Sequence, residues 1–148
     1  MHTNFGPVHN KRLNDDTRTD SAIKKSWKIF RGINPSLVGG TFYSKLFADT
    51  PSLRRMFPKN MTDQYLKLVD MLSTVVARLD NMEDLTEDIA AMARRHAGYG
   101  VKQAHYKLVG DALMWTLGQG LGKDWTPELK DAWQTCYNRL SATMISVT

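Results

Sequence analysis

Four histidines and one cysteine are the nitrogen and thiolate donors of this 148-residue sequence: His2, His9, His96, His105 and Cys136. Their spacing rules out the common metal centres. There is no HExxH and no Glu-x-x-His pair, so a zinc-protease or carboxylate di-iron site has no ligands. Cys136 has no second cysteine for a disulfide or a thiolate centre. It falls within an apolar stripe, so it reads as a small core residue rather than a nucleophile. Neither GxGxxG nor GxxxxGK[ST] occurs to cradle a phosphate. What remains is His96, at the end of the stripe in MARRHAGYGV (92–101), just before two glycines.

The stripe runs Leu85, Ile89, Met92, Ala93, and the same spacing reaches His96. A second polar residue holds a matched place. Four residues back from Leu68, the stripe of Leu68, Met71, Leu72, Val75, Val76 and Leu79 arrives at Gln64. Tyr43 lies beside a third stripe, Val38, Phe42 and Leu46. Taken singly, each has an ordinary structural explanation. A histidine on an apolar face is more often a hydrogen-bonded core residue than a ligand. A glutamine in a first helical turn is commonly a cap or a surface residue, and a tyrosine is usually core with its hydroxyl partnered. One imidazole holds a bare metal ion poorly. It suffices for haem iron, whose porphyrin supplies four other ligands.

The elements that must position these residues are all helical. Strict apolar–polar alternation over six or more residues is hard to find. A first helix is expected over 20–32, capped by Asp20, with Ile23, Trp27 and Phe30 inward. Asn34-Pro35 and Thr50-Pro51 open the second helix and a short third one, which Pro58 stops. A long helix begins at Met61 or Thr62, and others cover 84–97 and 103–121. Thr126-Pro127-Glu128 opens the last, whose stripe is Leu129, Ala132, Trp133, Cys136, Tyr137, Leu140 and Met144. The expectation is one all-α domain of about seven helices over residues 20–148. Residues 1–19 lack a period and read as a mobile tail.

Composition narrows the function classes. The chain is 42% hydrophobic and 24% charged, as an ordinary globular protein is. No apolar run reaches the roughly 18 residues of a spanning helix, and no signal-peptide core is visible. Membrane insertion is therefore not expected, and a cytoplasmic location is. The net charge of +5 is scattered among acids, without the Lys/Arg run and interleaved aromatics of a nucleic-acid site.

Several segments, in order, carry a resemblance. TFYSKLF (41–47) followed by P-x-L-x-x-x-F (51–57), RRHAGYGV (94–101), HYKLVGDAL (105–113) and DAWQTCY (131–137) resemble the globins. The likeness is strongest to bacterial single-domain globins and to the haem domains of flavohaemoglobins, and it spans most of residues 20–148. It implies a globin fold, a helical sandwich around haem b (iron protoporphyrin IX). It also implies roles. His96 would be the proximal axial ligand of the iron, and Phe57 the ring wedged against the haem. Tyr43 and Gln64 would be the distal pair that donates hydrogen bonds to bound oxygen, Leu68 the apolar residue lining the ligand cavity, and Tyr106 a ring behind the haem. Lys67 and Arg95 are candidates to meet the haem propionates, with ordinary surface charge as the alternative for each.

Oxygen on ferrous haem has superoxide-like charge, so two donors in a dry pocket would slow its loss. The implied function is oxygen binding, storage or delivery, with NO and CO as further ligands. The alternative is a nitric oxide dioxygenase. The chain ends at Thr148 without a flavin- and NAD-binding segment, so that enzyme would need a separate reductase. Counting forward from Tyr137, Thr148 also stands where flavohaemoglobins have a glutamate that acts on the proximal histidine. Its absence weakens the expectation of peroxidase-like chemistry.

Overall fold

The computed structural model describes residues 18–148; the histidines His2 and His9 and most of the expected tail lie outside them. The described residues form six α-helices and three 3-10 segments, with no strand among them. Helix α1 covers residues 18–30, α2 Pro35–Asp49, α3 Thr62–Ala77, α4 Thr86–Gly98, α5 Gln103–Leu121 and α6 Pro127–Ser146. The 3-10 segments are Pro51–Met56, Leu79–Leu85 and Gly122–Asp124. The short third helix expected from the sequence is the first of these.

Local chemistry explains most of the boundaries. Pro35 and Pro127 stand in the first helical turn, where a missing N–H costs nothing. The Asn34 side chain accepts from the Ser36 amide and the Thr126 hydroxyl accepts from the Leu129 amide, each satisfying one orphan donor. Two boundaries differ from the sequence reading. Asp20 is not a cap, because the chain is already helical at residue 18. The long helix stops at Ala77, and Leu79 belongs to the following 3-10 segment, which is kinked at Asn81 (φ −138°, ψ 48°). The apolar spacing runs straight through this break, so periodicity could not mark it.

The core is built from the inward stripes of the helices. Phe42, Leu46, Ile23 and Leu117 are its largest sealed side chains, and each such burial contributes about 1.5–3 kcal/mol. Helix α1 is tied in by indoles: Trp27 Nε1 donates to Ser73 Oγ of α3, and Trp133 Nε1 of α6 donates to Ser26 Oγ. Helix α2 packs on both α3 and α5, and α6 packs on both α4 and α5. Gly39 makes the α2–α3 crossing possible, since a Cβ there would lie 2.4 Å from the Cβ of Tyr65. Helices α3 and α4 make no close backbone approach: no Cα of one comes within 8 Å of a Cα of the other. The same holds for α3 and α5. The helices bearing Gln64 and His96 are thus separate elements without close backbone approach.

Candidate functional site

His96 sits in the last turn of α4, half-buried. Its Nδ1 lies 2.7 Å from the carbonyl oxygen of Met92, one turn back. A carbonyl can only accept, so Nδ1 carries the proton and the lone pair is on Nε2. No described residue takes that lone pair. The backbone around His96 is equally fixed. Gly100 adopts φ +89°, the left-handed conformation that only glycine enters without cost. This lets the Gly100 amide donate to Ala97 O and the Val101 amide to His96 O, both at 3.0 Å, which is a Schellman closure of α4. The glycines of MARRHAGYGV thus set where the imidazole stands as well as ending the helix.

The start of α5 follows directly. The Lys102 amide donates to His105 Nδ1 at 2.9 Å, so the fourth histidine caps a helix. Tyr106 is half-buried, and burial raises its phenol above the usual value. Its backbone carbonyl accepts a 2.6 Å bond from the Tyr137 hydroxyl of α6. The Tyr137 ring lies against Gly110, where a Cβ would come within 2.7 Å of it.

On α2, Tyr43 is buried within a cluster of rings. Its centroid is 5.3 Å from Phe57, 5.8 Å from Phe47, 5.9 Å from Tyr65 and 4.8 Å from Phe42. Gln64 Nε2 of α3 donates to the Tyr43 hydroxyl oxygen at 3.2 Å. The phenol keeps its own hydrogen for another acceptor. Burial pushes its pKa up, and the Gln64 bond offsets part of that rise. The hydroxyl therefore remains a donor at neutral pH. Leu68, one turn beyond Gln64, is buried, while Gln64 and Phe57 are half-buried.

The structure therefore brings Tyr43, Gln64 and Phe57 into one neighbourhood and holds His96 on a separate helix, α4. Lys67 and Arg95 are exposed and in no ion pair among the described residues. Thr148 is exposed, and its hydroxyl donates to the carbonyl of Ile145. Among the described residues no group of three His, Cys, Asp or Glu converges on a metal position, and no helix is long and apolar enough to cross a membrane. Sequence reasoning missed Phe47 and Tyr65. Phe47 follows Tyr43 by one helical turn, and Tyr65 precedes Leu68 by three residues and Leu72 by seven; either spacing could have flagged them.

Comparison with known proteins accords with the all-helical fold. The flavohemoprotein of Bacillus subtilis is 26% identical over 137 residues, covering 89% of this chain and 34% of that protein. The flavohemoprotein of Vibrio cholerae is 27% identical over 128 residues, covering 83% of this chain and 32% of that one. The chain thus spans about a third of the length of these curated relatives. A bacterial globin from Campylobacter jejuni superposes with a TM-score of 0.79 at 22% identity, covering 88% of this chain and 94% of that one, a likeness of fold. An engineered carbene transferase from Rhodothermus marinus, described as a putative nitric oxide dioxygenase, superposes at 0.78 with 27% identity over 86% of this chain and 89% of that one. The globin profile itself matches residues 40–144, from α2 to the last turns of α6. With described residues that are all helical and a profile that covers most of its length, this chain belongs to the globin family.

Proposed function

We propose that the protein is a haem-containing, oxygen-binding globin of the cytoplasm, with haem b held by residues 20–148. The observation that carries this reading is the imidazole of His96. Its Nδ1–H is committed to the Met92 carbonyl, and its Nε2 has no partner among the described residues. That is the donor an axial ligand needs: one neutral nitrogen, its tautomer fixed by a backbone bond behind it. The surroundings fit the group as well. Half-buried Phe57, Met71, Met92 and Tyr106 pack against the core cluster that includes buried Leu68, and all would supply apolar flanks.

When bound, the haem supplies an iron that takes diatomic ligands: O2, NO or CO. The chain's own residues decide how such a ligand is held. The Tyr43 hydroxyl and the Gln64 amide are the donors available on the α2–α3 side, and each charge-assisted bond contributes about 1.5–3 kcal/mol. Lys67 and Arg95, both exposed cations, would meet the propionates, and Tyr106 would lie behind the haem.

A second reading is nitric oxide dioxygenase activity with a separate reductase. It is favoured by the flavohemoprotein relatives and by the 27% identical Rhodothermus marinus neighbour, described as a putative enzyme of that kind. One assay separates the two. Haem-loaded protein with added NADH and a flavin reductase is exposed to NO under air. Sustained, NO-dependent NADH consumption supports the enzyme. Reversible oxygen binding without turnover supports the carrier. A preparation that takes up no haem overturns both.

A further inference from the structure

We propose that Arg54 is a positioning residue of the distal side, clamping the Phe57–Lys59 backbone to the ring cluster that contains Tyr43. This rests on the haem-pocket reading. Arg54 lies in the 3-10 segment Pro51–Met56 and is half-buried. One of its terminal nitrogens donates to the carbonyls of Phe57 (3.2 Å) and Pro58 (3.0 Å), and the other to the carbonyl of Lys59 (3.1 Å). Three successive carbonyls of a stretch without regular structure therefore converge on one guanidinium. Arg54 has no carboxylate partner among the described residues, so these carbonyls take its charge.

The same group lies 5.5 Å from the ring centre of Phe47. That ring packs edge-on against Phe57 at 5.4 Å and beside Tyr43 at 5.8 Å, while Phe57 meets Tyr43 at 5.3 Å. Arg54 thus touches both sides of the arrangement: the backbone that carries Phe57 and the ring that braces it. Loss of the clamp frees the segment, lets Phe57 move, and removes an edge that fixes where the Tyr43 hydroxyl points. A lysine cannot replace it, because a single ammonium lacks the planar fork that reaches three carbonyls. Neighbouring Arg55 is exposed and makes none of these bonds.

The test compares Arg54→Ala and Arg54→Lys with the wild type, each as isolated. Amide exchange across residues 57–62 needs no haem. The infrared stretch of added CO reports on the distal donors, with Tyr43→Phe as reference. In Arg54→Ala we expect exchange in this segment to rise about tenfold, with amides of α5 and α6 unchanged, and the CO band to move toward that of Tyr43→Phe. Arg54→Lys should behave like Arg54→Ala. An unmoved CO band with unchanged exchange overturns the proposal, as does an exchange increase spread over the whole chain. A lysine variant that matches the wild type overturns the fork. If the wild type gives no CO band, the haem reading has failed, and the clamp stands or falls on the exchange alone.

Discussion

The α2–α3 and α4–α5 regions are held in different ways. On the α2–α3 side, side chains do the holding: Gln64 bonds Tyr43, four other rings pack around it, and Arg54 grips three carbonyls. On the α4–α5 side, the main chain does the holding. His96 is aimed by the Met92 carbonyl, its own carbonyl is anchored by the Val101 amide, and the Tyr106 carbonyl is anchored by Tyr137. A main-chain mould depends little on which side chains surround it. A side-chain mould can be retuned by single substitutions. On the proposed reading, the axial-ligand role would fall to the His96 side and the tuning of ligand affinity to the Tyr43 side.

The sharpest test of this contrast is His96→Ala. The main-chain bonds that close α4 do not need the imidazole, so the fold should survive while the ferrous Soret spectrum of the haem-loaded protein is lost. An unchanged spectrum would falsify axial ligation by His96. Next in size is Tyr43→Phe, which removes a donor without changing shape. Stopped-flow oxygen dissociation should rise about ten- to 150-fold, the equivalent of roughly 1.5–3 kcal/mol. Gln64→Leu should raise it less, because the phenol remains. If Tyr43→Phe leaves the rate within about twofold yet lowers the melting temperature, the distal bond is structural and the contrast collapses.

Tyr137→Phe probes the main-chain side. Losing its 2.6 Å bond to the Tyr106 carbonyl should cost about 1 kcal/mol of stability, read from the urea midpoint. Oxygen dissociation should hardly change. The smallest effect concerns pH. Burial raises the Cys136 thiol from 9.0 to about 11. The unfolded chain therefore ionises first, and stability should fall as pH rises from about 9 to about 11. Comparing the slope with that of Cys136→Ala isolates this contribution; equal slopes would show that burial of the thiol does not govern it.

Much of this was legible in the sequence, and the reasons are local. The Asn34-Pro35 and Thr126-Pro127 starts follow from cap chemistry within four residues. The stripes of α4 and α6 follow from period, and period alone brought His96 to the inward face. What stayed hidden needed the third dimension. Arg54 and Arg55 are indistinguishable in PSLRRMF, and only the path of the chain after Phe57 decides which one turns in. The Gln64–Tyr43 bond joins residues 21 positions apart on separate helices, which no spacing rule could reveal. The 3-10 segment Leu79–Leu85 was illegible because neither glycine nor proline punctuates it.

The Gly39–Tyr65 crossing has a consequence for how this sequence can change over time. A methyl group at residue 39 would collide with the Cα and Cβ of Tyr65, so no rotamer of the tyrosine can make room. The collision is with the α3 main chain itself, and smaller residues at 65 relieve only part of it. Position 39 is therefore closed to drift while the helices keep this approach. Position 65, by contrast, accepts any side chain that can leave the crossing sideways. Descendants of this protein should vary at 65 long before they vary at 39, and a line that loses the glycine should show a re-angled α3, with Gln64 carried along by it.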